Sequence, residues 1–387
     1  MKLSKLSAFF VMTLVACQTT QAVSERAVAS TSLVDVPYTF EAVKVQDAKN
    51  TFHFVRTFVD YFYLLLAQNK DNLYVTKNFA RFAGQCVGDA HAENFGFLIQ
   101  EDASTKFTMN DIDDFGPCPV AYDLYRFLMS STLYDPTLDA KAIFSAYIKG
   151  FKGEPFSKPM YIQDLENKSV KRGAALNPKK VTNSSFIVRD AANIDIDSAS
   201  EILIKKAMAV AYPSAVVVDV VKTLRPEGGS GGLARYQVLL KINGAIRHLE
   251  LKEQIKPSIY PVATASLPDV QTKISDAIRF EQGGSKLYKY TKIAGSEFLI
   301  RPVFWGNVGV SLSDASSEDV DVIAFEAYTL GQIHRVSVSD MAGYLQALQT
   351  GDFGGWQGDI DAMADFMHKK YRSLHPKQDL SISNGTR

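Results

Sequence analysis

Hydrophobic residues recur along this chain with two different periods, and the change of period divides it. Phe54, Phe58, Tyr61 and Leu65 fall at i, i+4, i+7 and i+11, with Val55, Val59, Phe62 and Leu66 filling the adjoining stripe. That spacing gives one broad apolar face and predicts a buried helix over residues 54–66. Residues 122–134 and 140–151 also carry helical spacing, the first ending before Pro136. From residue 216 the character becomes β: residues 216–223, 234–242 and 246–252 are β-branched or alternating runs. The first two runs are joined by Glu227-Gly228-Gly229-Ser230-Gly231-Gly232 and the next two by Asn243-Gly244, whose residues accept the positive φ of a two-residue hairpin turn. An antiparallel meander is predicted there. A helix over 267–282, a strand over 298–303 and a last helix over 360–372 follow. Before that last helix, Ile323, Ala327, Leu330 and His334 share one helical face. Between 152 and 197 the pattern weakens around Pro155, Pro159, Gly173 and Pro178. Lys168, Lys171, Arg172, Lys179 and Lys180 read there as a solvated junction.

Of the 387 residues, 46% are hydrophobic and 22% charged, enough for a substantial core and unlike a disordered chain. Formal net charge is zero, which argues against nucleic acid as a partner. The first residues, MKLSKLSAFFVMTLVAC, have a basic start, an apolar stretch over residues 6–16 and small residues before a cysteine. This is a signal-peptide pattern, too short for a permanent span of roughly 20 residues. Leu14-Val15-Ala16-Cys17 resembles a lipobox, which implies export and a lipid on Cys17 that anchors the protein at the periplasmic face of a bacterial membrane. The alternative is cleavage after Ala22 and a soluble periplasmic protein. Cys86 and Cys118 are then the remaining thiols; in an oxidising compartment they are read either as a disulfide or as two buried free cysteines.

Chemistry concentrates in three segments: Gly88-Asp89-Ala90-His91-Ala92-Glu93-Asn94-Phe95-Gly96, Asn110-Asp111-Ile112-Asp113-Asp114-Phe115-Gly116, and Tyr122-Asp123-Leu124. Their types, order and spacing resemble aminoglycoside phosphotransferases and related kinase-like enzymes, which carry GDxHxxN, then an Asp-aromatic-x-Asp segment, then YDL. The resemblance implies Asp89 as the catalytic carboxylate near an acceptor hydroxyl. It also implies Asn94 and Asp111 as ligands of Mg²⁺ or Mn²⁺, with Asp113 joining a second ion or orienting the first shell. Phosphoryl transfer asks the protein mainly for positioning and charge neutralisation, and Mg²⁺ takes oxygen ligands while keeping phosphates and waters, so this set is chemically sufficient. Asp123 is expected to cap its helix and brace the loop, and His91 either to support the loop or to bind metal. Asp114, in Asp-Phe-Gly, is a rival metal ligand to Asp111.

The glycine turn with Gly228, Gly229, Ser230 and Gly231, followed by Lys252 on the third strand, resembles the way kinase-like folds cover and neutralise the phosphates of ATP or another nucleotide. Glu281 is the candidate partner of Lys252, with Glu253 and Glu297 competing. Glu250 stands on the face of Lys252's strand where kinases place a small residue beside adenine, and argues against ordinary ATP binding. Since the catalytic motifs precede the glycine turn, the expected fold is α+β and two-lobed, a circularly permuted kinase-like arrangement with a helical lobe and a small antiparallel β lobe.

The same order, as GDxHxxNFG, NDFDE, WDLxR, GxGSxG and a strand ending in KE, is that of the bacterial domain-of-unknown-function family 2252. This chain reads GDAHAENFG, NDIDD, YDLYR, GGSGG and LELKE over about residues 79–334. The boundaries expected are a leader at 1–17, a tether at 18–36, a helical lobe at 37–155, a junction at 156–212, a β lobe at 213–305 and C-terminal helices at 306–387. The function expected is phosphoryl or nucleotidyl transfer from a metal-bound nucleotide to an unknown acceptor. The alternatives are a catalytically silent envelope scaffold and a metal-dependent phosphoesterase, though a GDxxDRG and a GNH are missing. No GxSxG supports a serine hydrolase.

Overall fold

A computed structural model describes residues 32–182, 185–225, 228–283 and 286–376. The leader, Cys17 and most of the tether lie outside the described residues, as does the side chain of Glu281. The fold is α+β, with antiparallel sheets throughout. No helix among the described residues is long and apolar enough to cross a membrane.

The meander forms as its alternation dictates. Strands Lys289–Ile293, Ser296–Pro302, Ala245–Gln254, Arg235–Ile242, Val216–Thr223 and Asn193–Ile194 lie side by side in that spatial order. Asn243 and Gly244 take φ of 48° and 82° at the hairpin, the region their sequence favours. On the central strand Leu249 and Leu251 face the helix Ser198–Ala211, which lays Ile204, Ala207 and Met208 across them. The intervening His248, Glu250, Lys252 and Gln254 are buried and point the other way. Period two thus delivers a row of polar groups to one face of the sheet. On that face Leu299 packs with Ile112 and Phe115 of the acidic loop and with Ile274 of the helix Val270–Ala277.

The helical core is aromatic-rich and joins segments far apart in sequence. Helix Asp319–Ser337 crosses helix Ala140–Lys152 so closely that a Cβ on Gly331 would collide with the Tyr147 carbonyl, and one on Gly150 with that of Tyr328. Helix Phe353–Leu374 packs on helix Ala121–Tyr134, where the Tyr125 hydroxyl donates to the Asp359 carbonyl at 2.7 Å. The C-terminal helices therefore complete a core begun before residue 155.

Two stretches differ from the sequence pattern. The helix expected over 54–66 is two helices, Thr51–Thr57 and Val59–Gln68, broken at Phe58 with φ −110° and ψ 63°. The apolar stripe continues across the break because Phe58 stays buried, which is why periodicity did not reveal it. Within 156–212 lie the helices Met160–Arg172 and Ser198–Ala211 and a short hairpin of Val181–Thr182 with Phe186–Ile187. The first of these helices buries only Ile162, Leu165 and Ser169, a stripe too narrow to stand out among its charges.

Candidate functional site

The first two acidic motifs face one cleft of ≈ 650 Å³ between the glycine turn and the loops at 89–94 and 110–114, with Arg301 of the sheet in its wall and the sheet's polar row buried behind it. Asp89, Asn94, Asp111, Asp113, Gly228, Gly229 and Ser230 line it.

Asp89 leaves the strand Ala83–Cys86 on a loop held from below. The Asp123 carboxylate, fully buried at the start of helix Ala121–Tyr134, accepts from the backbone N–H of Val87 at 2.6 Å and of Gly88 at 3.1 Å. It also accepts from the Tyr63 hydroxyl at 3.1 Å and faces His334 Nε2 at 3.1 Å. Asp123 thus braces the loop but does not cap its own helix, whose N-cap residue Val120 makes no side-chain cap. His334 reaches it from the C-terminal helix and is itself fixed by the Tyr147 hydroxyl at 2.7 Å.

Arg126, one turn after Asp123, is the residue sequence reasoning passed over. It is fully buried, lies 5.2 Å from the Phe62 ring centre, and donates from Nη2 to Asp89 Oδ1 at 2.5 Å and to the Val55 carbonyl at 3.1 Å. The signal was present, since an arginine inside the apolar run Tyr122-Asp123-Leu124-Tyr125-Arg126-Phe127-Leu128 demands a buried partner. Burial works to raise the Asp89 pKa, but His91 and Arg126 outweigh it and hold the carboxyl far below its ordinary range. Asp89 is therefore a fixed negative charge. His91 faces Asp89 Oδ2 with Nε2 at 3.4 Å and turns Nδ1 to its neighbour's carbonyl, so it supports the loop. Asn94 donates to the Asp89 carbonyl at 3.0 Å, and its own carbonyl accepts from Asn110 N–H at 2.9 Å, joining the two acidic loops.

On the β side, Lys252 lies between the two carboxylates of the second motif, 2.5 Å from Asp111 Oδ2 and in contact with Asp113. Burial pushes the Asp111 pKa up, and Lys252 with Arg301 more than reverses that, so Asp111 stays ionised. Asp113 also accepts from Gln254 Nε2 at 2.8 Å, and Gln254 Oε1 accepts from the buried Lys273 at 2.7 Å. Helix Val270–Ala277 thus presents a lysine, through a glutamine, beside Lys252. Glu250 receives Arg235 at 3.0 Å and Arg301 at 2.6 Å, and these arginines, against its burial, hold it down at about 2. Its charge is consumed within the sheet.

The turn at 228–232 needs glycine for backbone reasons at two positions, Gly228 at φ 77° and Gly232 at φ 85°, where an added Cβ would meet open space. Gly229 sits over the helix break: its Cβ would lie 3.4 Å from the Thr57 carbonyl and 3.5 Å from that of Arg56. Ser230 accepts from Arg235 at 3.2 Å, linking the turn to the Glu250 network.

The residues fit a hard divalent cation in one specific respect. Asp111 Oδ1 is buried without a hydrogen-bond partner among the described residues, an uncompensated acceptor beside the cleft. Among these residues no group of three or more His, Cys, Asp or Glu side chains could hold a metal alone. Two carboxylates and the Asn94 amide would need phosphate and water oxygens to complete a shell.

Asp114 accepts from Ser258 N–H at 2.6 Å. Burial and the neighbouring Asp89 charge push its carboxyl up from 3.8 to about 6, against that hydrogen bond. The folded protein binds this proton more tightly than the unfolded chain, so stability from this group is complete below 3.8 and falls as pH rises towards about 6, by about 3 kcal/mol at most. Asp89 and Asp111 remain ionised across that window. Urea titrations at about pH 4 and about pH 6.5 should show the fall in the parent and not in Asp114→Asn; equal slopes in both proteins would refute the assignment.

Residues 43–141 match a family described as an uncharacterised protein conserved in bacteria, DUF2252. This segment is similar to DUF2252 sequences. The DUF2252 match holds all three acidic motifs and Arg126, and ends before the glycine turn and Lys252. No curated protein and no solved structure matches the chain.

Proposed function

We propose that this protein is an exported kinase-like phosphotransferase, in circularly permuted order, that moves a phosphoryl or nucleotidyl group from a metal-bound nucleotide to an acceptor. One observation carries the reading: Asp89, Asn94, Asp111 and Asp113 share a single cleft with the glycine turn, and Lys252 reaches Asp111 and Asp113 from the β side. Asp111 with Asn94 would hold the metal, which when bound neutralises phosphate charge. Asp89, kept ionised and oriented by Arg126, accepts a hydrogen bond from the acceptor hydroxyl and sets its direction. Lys252 is released from Asp111 and Asp113 when other cations neutralise them, and can then meet phosphate oxygens beneath the glycine turn. Anchoring through a lipid on Cys17 belongs to the same proposal, and a disulfide between Cys86 and Cys118 suits an oxidising compartment.

A second reading, a catalytically silent scaffold, is favoured by Glu250, whose locked charge stands on the strand face where adenine would lie. Thermal shift of the purified protein with ATP, GTP and AMP, with and without Mg²⁺ or Mn²⁺, separates the two. A nucleotide at about 100 times its Kd should add about 2.7 kcal/mol, and only with metal. Asp111→Ala should abolish that gain; no stabilisation by any nucleotide in the parent would leave the scaffold reading.

A further inference from the structure

Behind the β wall of the cleft the sheet presents a closed surface. Cross-strand neighbours point to one face, and the register sets Gln237 on one side of Glu250 and Arg301 on the other, with Arg235 opposite Lys252. The buried Glu250 accepts from Arg235 at 3.0 Å, from Gln237 Nε2 at 3.2 Å and from Arg301 at 2.6 Å. Two of these donors are also tied to the edges of the cleft: Arg235 donates to the Ser230 hydroxyl in the glycine turn at 3.2 Å, and Arg301 to the Asn110 carbonyl at 3.2 Å. Leu299, on the same face, is already covered by Ile112, Phe115 and Ile274. A nucleobase is a flat ring held chiefly by apolar side chains. The kinase-like reading would lay it on this surface, where it would have to part buried ion pairs.

The Tyr and Phe rings of the cleft are engaged as well. Phe58 is buried among Tyr38, Phe40 and Phe54. Tyr38 packs on Phe40 and Tyr61 and gives its hydroxyl to Asp60 at 2.7 Å. Tyr260 carries the Lys256 ammonium 3.5 Å from its ring centre. Groups suited to phosphate are kept by contrast. Arg225 lines the cleft beside the glycine turn, and its guanidinium makes no hydrogen bond or ion pair among the described residues. Its carbonyl accepts from Gly232 N–H at 3.1 Å, which fixes it at the foot of the turn. Acidic side chains outnumber basic ones around the cleft as a whole. A polyanion would therefore enter together with a divalent ion, for which Asp111 Oδ1 has no competing partner among the described residues.

We infer that the phosphate donor is read through its phosphate chain alone, so that an inorganic oligophosphate serves this site as well as a nucleotide. This rests on the phosphotransfer reading and narrows it. The acceptor oxygen bonds to the terminal phosphorus of the chain, the bridging P–O bond breaks with its electron pair leaving on the shortened phosphate, and the hydroxyl proton passes to water. A donor without a nucleoside can give only a phosphoryl group, so the transfer is phosphoryl and not nucleotidyl.

Calorimetric titration of the full chain in excess Mg²⁺ with tripolyphosphate, ATP and GTP tests this. The Kd of tripolyphosphate should be lower than that of either nucleotide or within about threefold of it. Without Mg²⁺ its affinity should fall by about tenfold or more. Arg225→Gln should weaken tripolyphosphate and ATP by the same factor, about fivefold or more. Its side chain has no partner to lose among the described residues, so an unchanged melting temperature checks that the variant is folded. A nucleotide bound more than about threefold tighter than tripolyphosphate would show that the nucleobase is read, overturning this inference and leaving phosphotransfer in place. A loss in Arg225→Gln confined to ATP, or tripolyphosphate binding indifferent to Mg²⁺, would overturn it too. Binding of none of the three would sink the phosphotransfer reading along with it.

Discussion

Asp123→Ala is expected to destabilise the protein by about 3–5 kcal/mol, the cost of removing one partner from a buried charged network. Four donors converge on this carboxylate: the Val87 and Gly88 amides, the Tyr63 hydroxyl and His334. Alanine leaves the two amides and His334 facing a void, while the Tyr63 hydroxyl keeps its bond to the Gly88 carbonyl at 2.5 Å; none reaches water, because Asp123, Tyr63 and His334 are fully buried and Val87 nearly so. Asp123→Asn keeps one oxygen and the volume, so it should lose less, with His334 or one amide facing an NH₂ group. Urea unfolding monitored by fluorescence gives both numbers. A loss below about 1 kcal/mol for alanine would mean that the loop is held by something other than this carboxylate.

The second large effect concerns the bond between Cys86 and Cys118. It crosses the paired strands Ala83–Cys86 and Gly116–Pro119, one leading into the Asp89 loop and the other leaving the acidic loop. With a sequence separation of 32, closing the loop is worth about 3–4 kcal/mol on the chain-entropy model. The parent should lose that much on adding reductant, and Cys86→Ser with Cys118→Ser should show the same lower stability with or without it. Indifference of the parent to reductant would show that the thiols are free in the purified protein.

Much of this architecture was legible because it is local. The meander, its Asn243-Gly244 turn and the helices Ala121–Tyr134 and Ala140–Lys152 follow from the period of their apolar residues and the chemistry of their turns. The acidic and glycine-turn residues of the cleft were legible as motifs, whereas Arg56, Arg225 and Arg301, which also line it, were not. The mutual pairing of the motif residues was not legible either, because it spans the chain: Lys252 lies 141 residues from Asp111, and His334 lies 211 from Asp123. No local pattern distinguishes a lysine aimed at carboxylates from one waiting for phosphate. The break at Phe58 was hidden for the opposite reason, since burial kept the apolar rhythm intact while the backbone left the helix.

The reach of His334 to Asp123 also bears on how the protein comes to be made. A chain delivered N-terminus first releases Asp89 and its loop long before the helix Asp319–Ser337 exists to lock Asp123 beneath it. Until then the loop's central carboxylate lacks one of its donors, and the core that buries it is unfinished. Long-range closures of this kind are slow relative to local ones. A chain that ends before His334 thus carries the motifs without the full set of donors that holds Asp123 and, through it, the loop of Asp89.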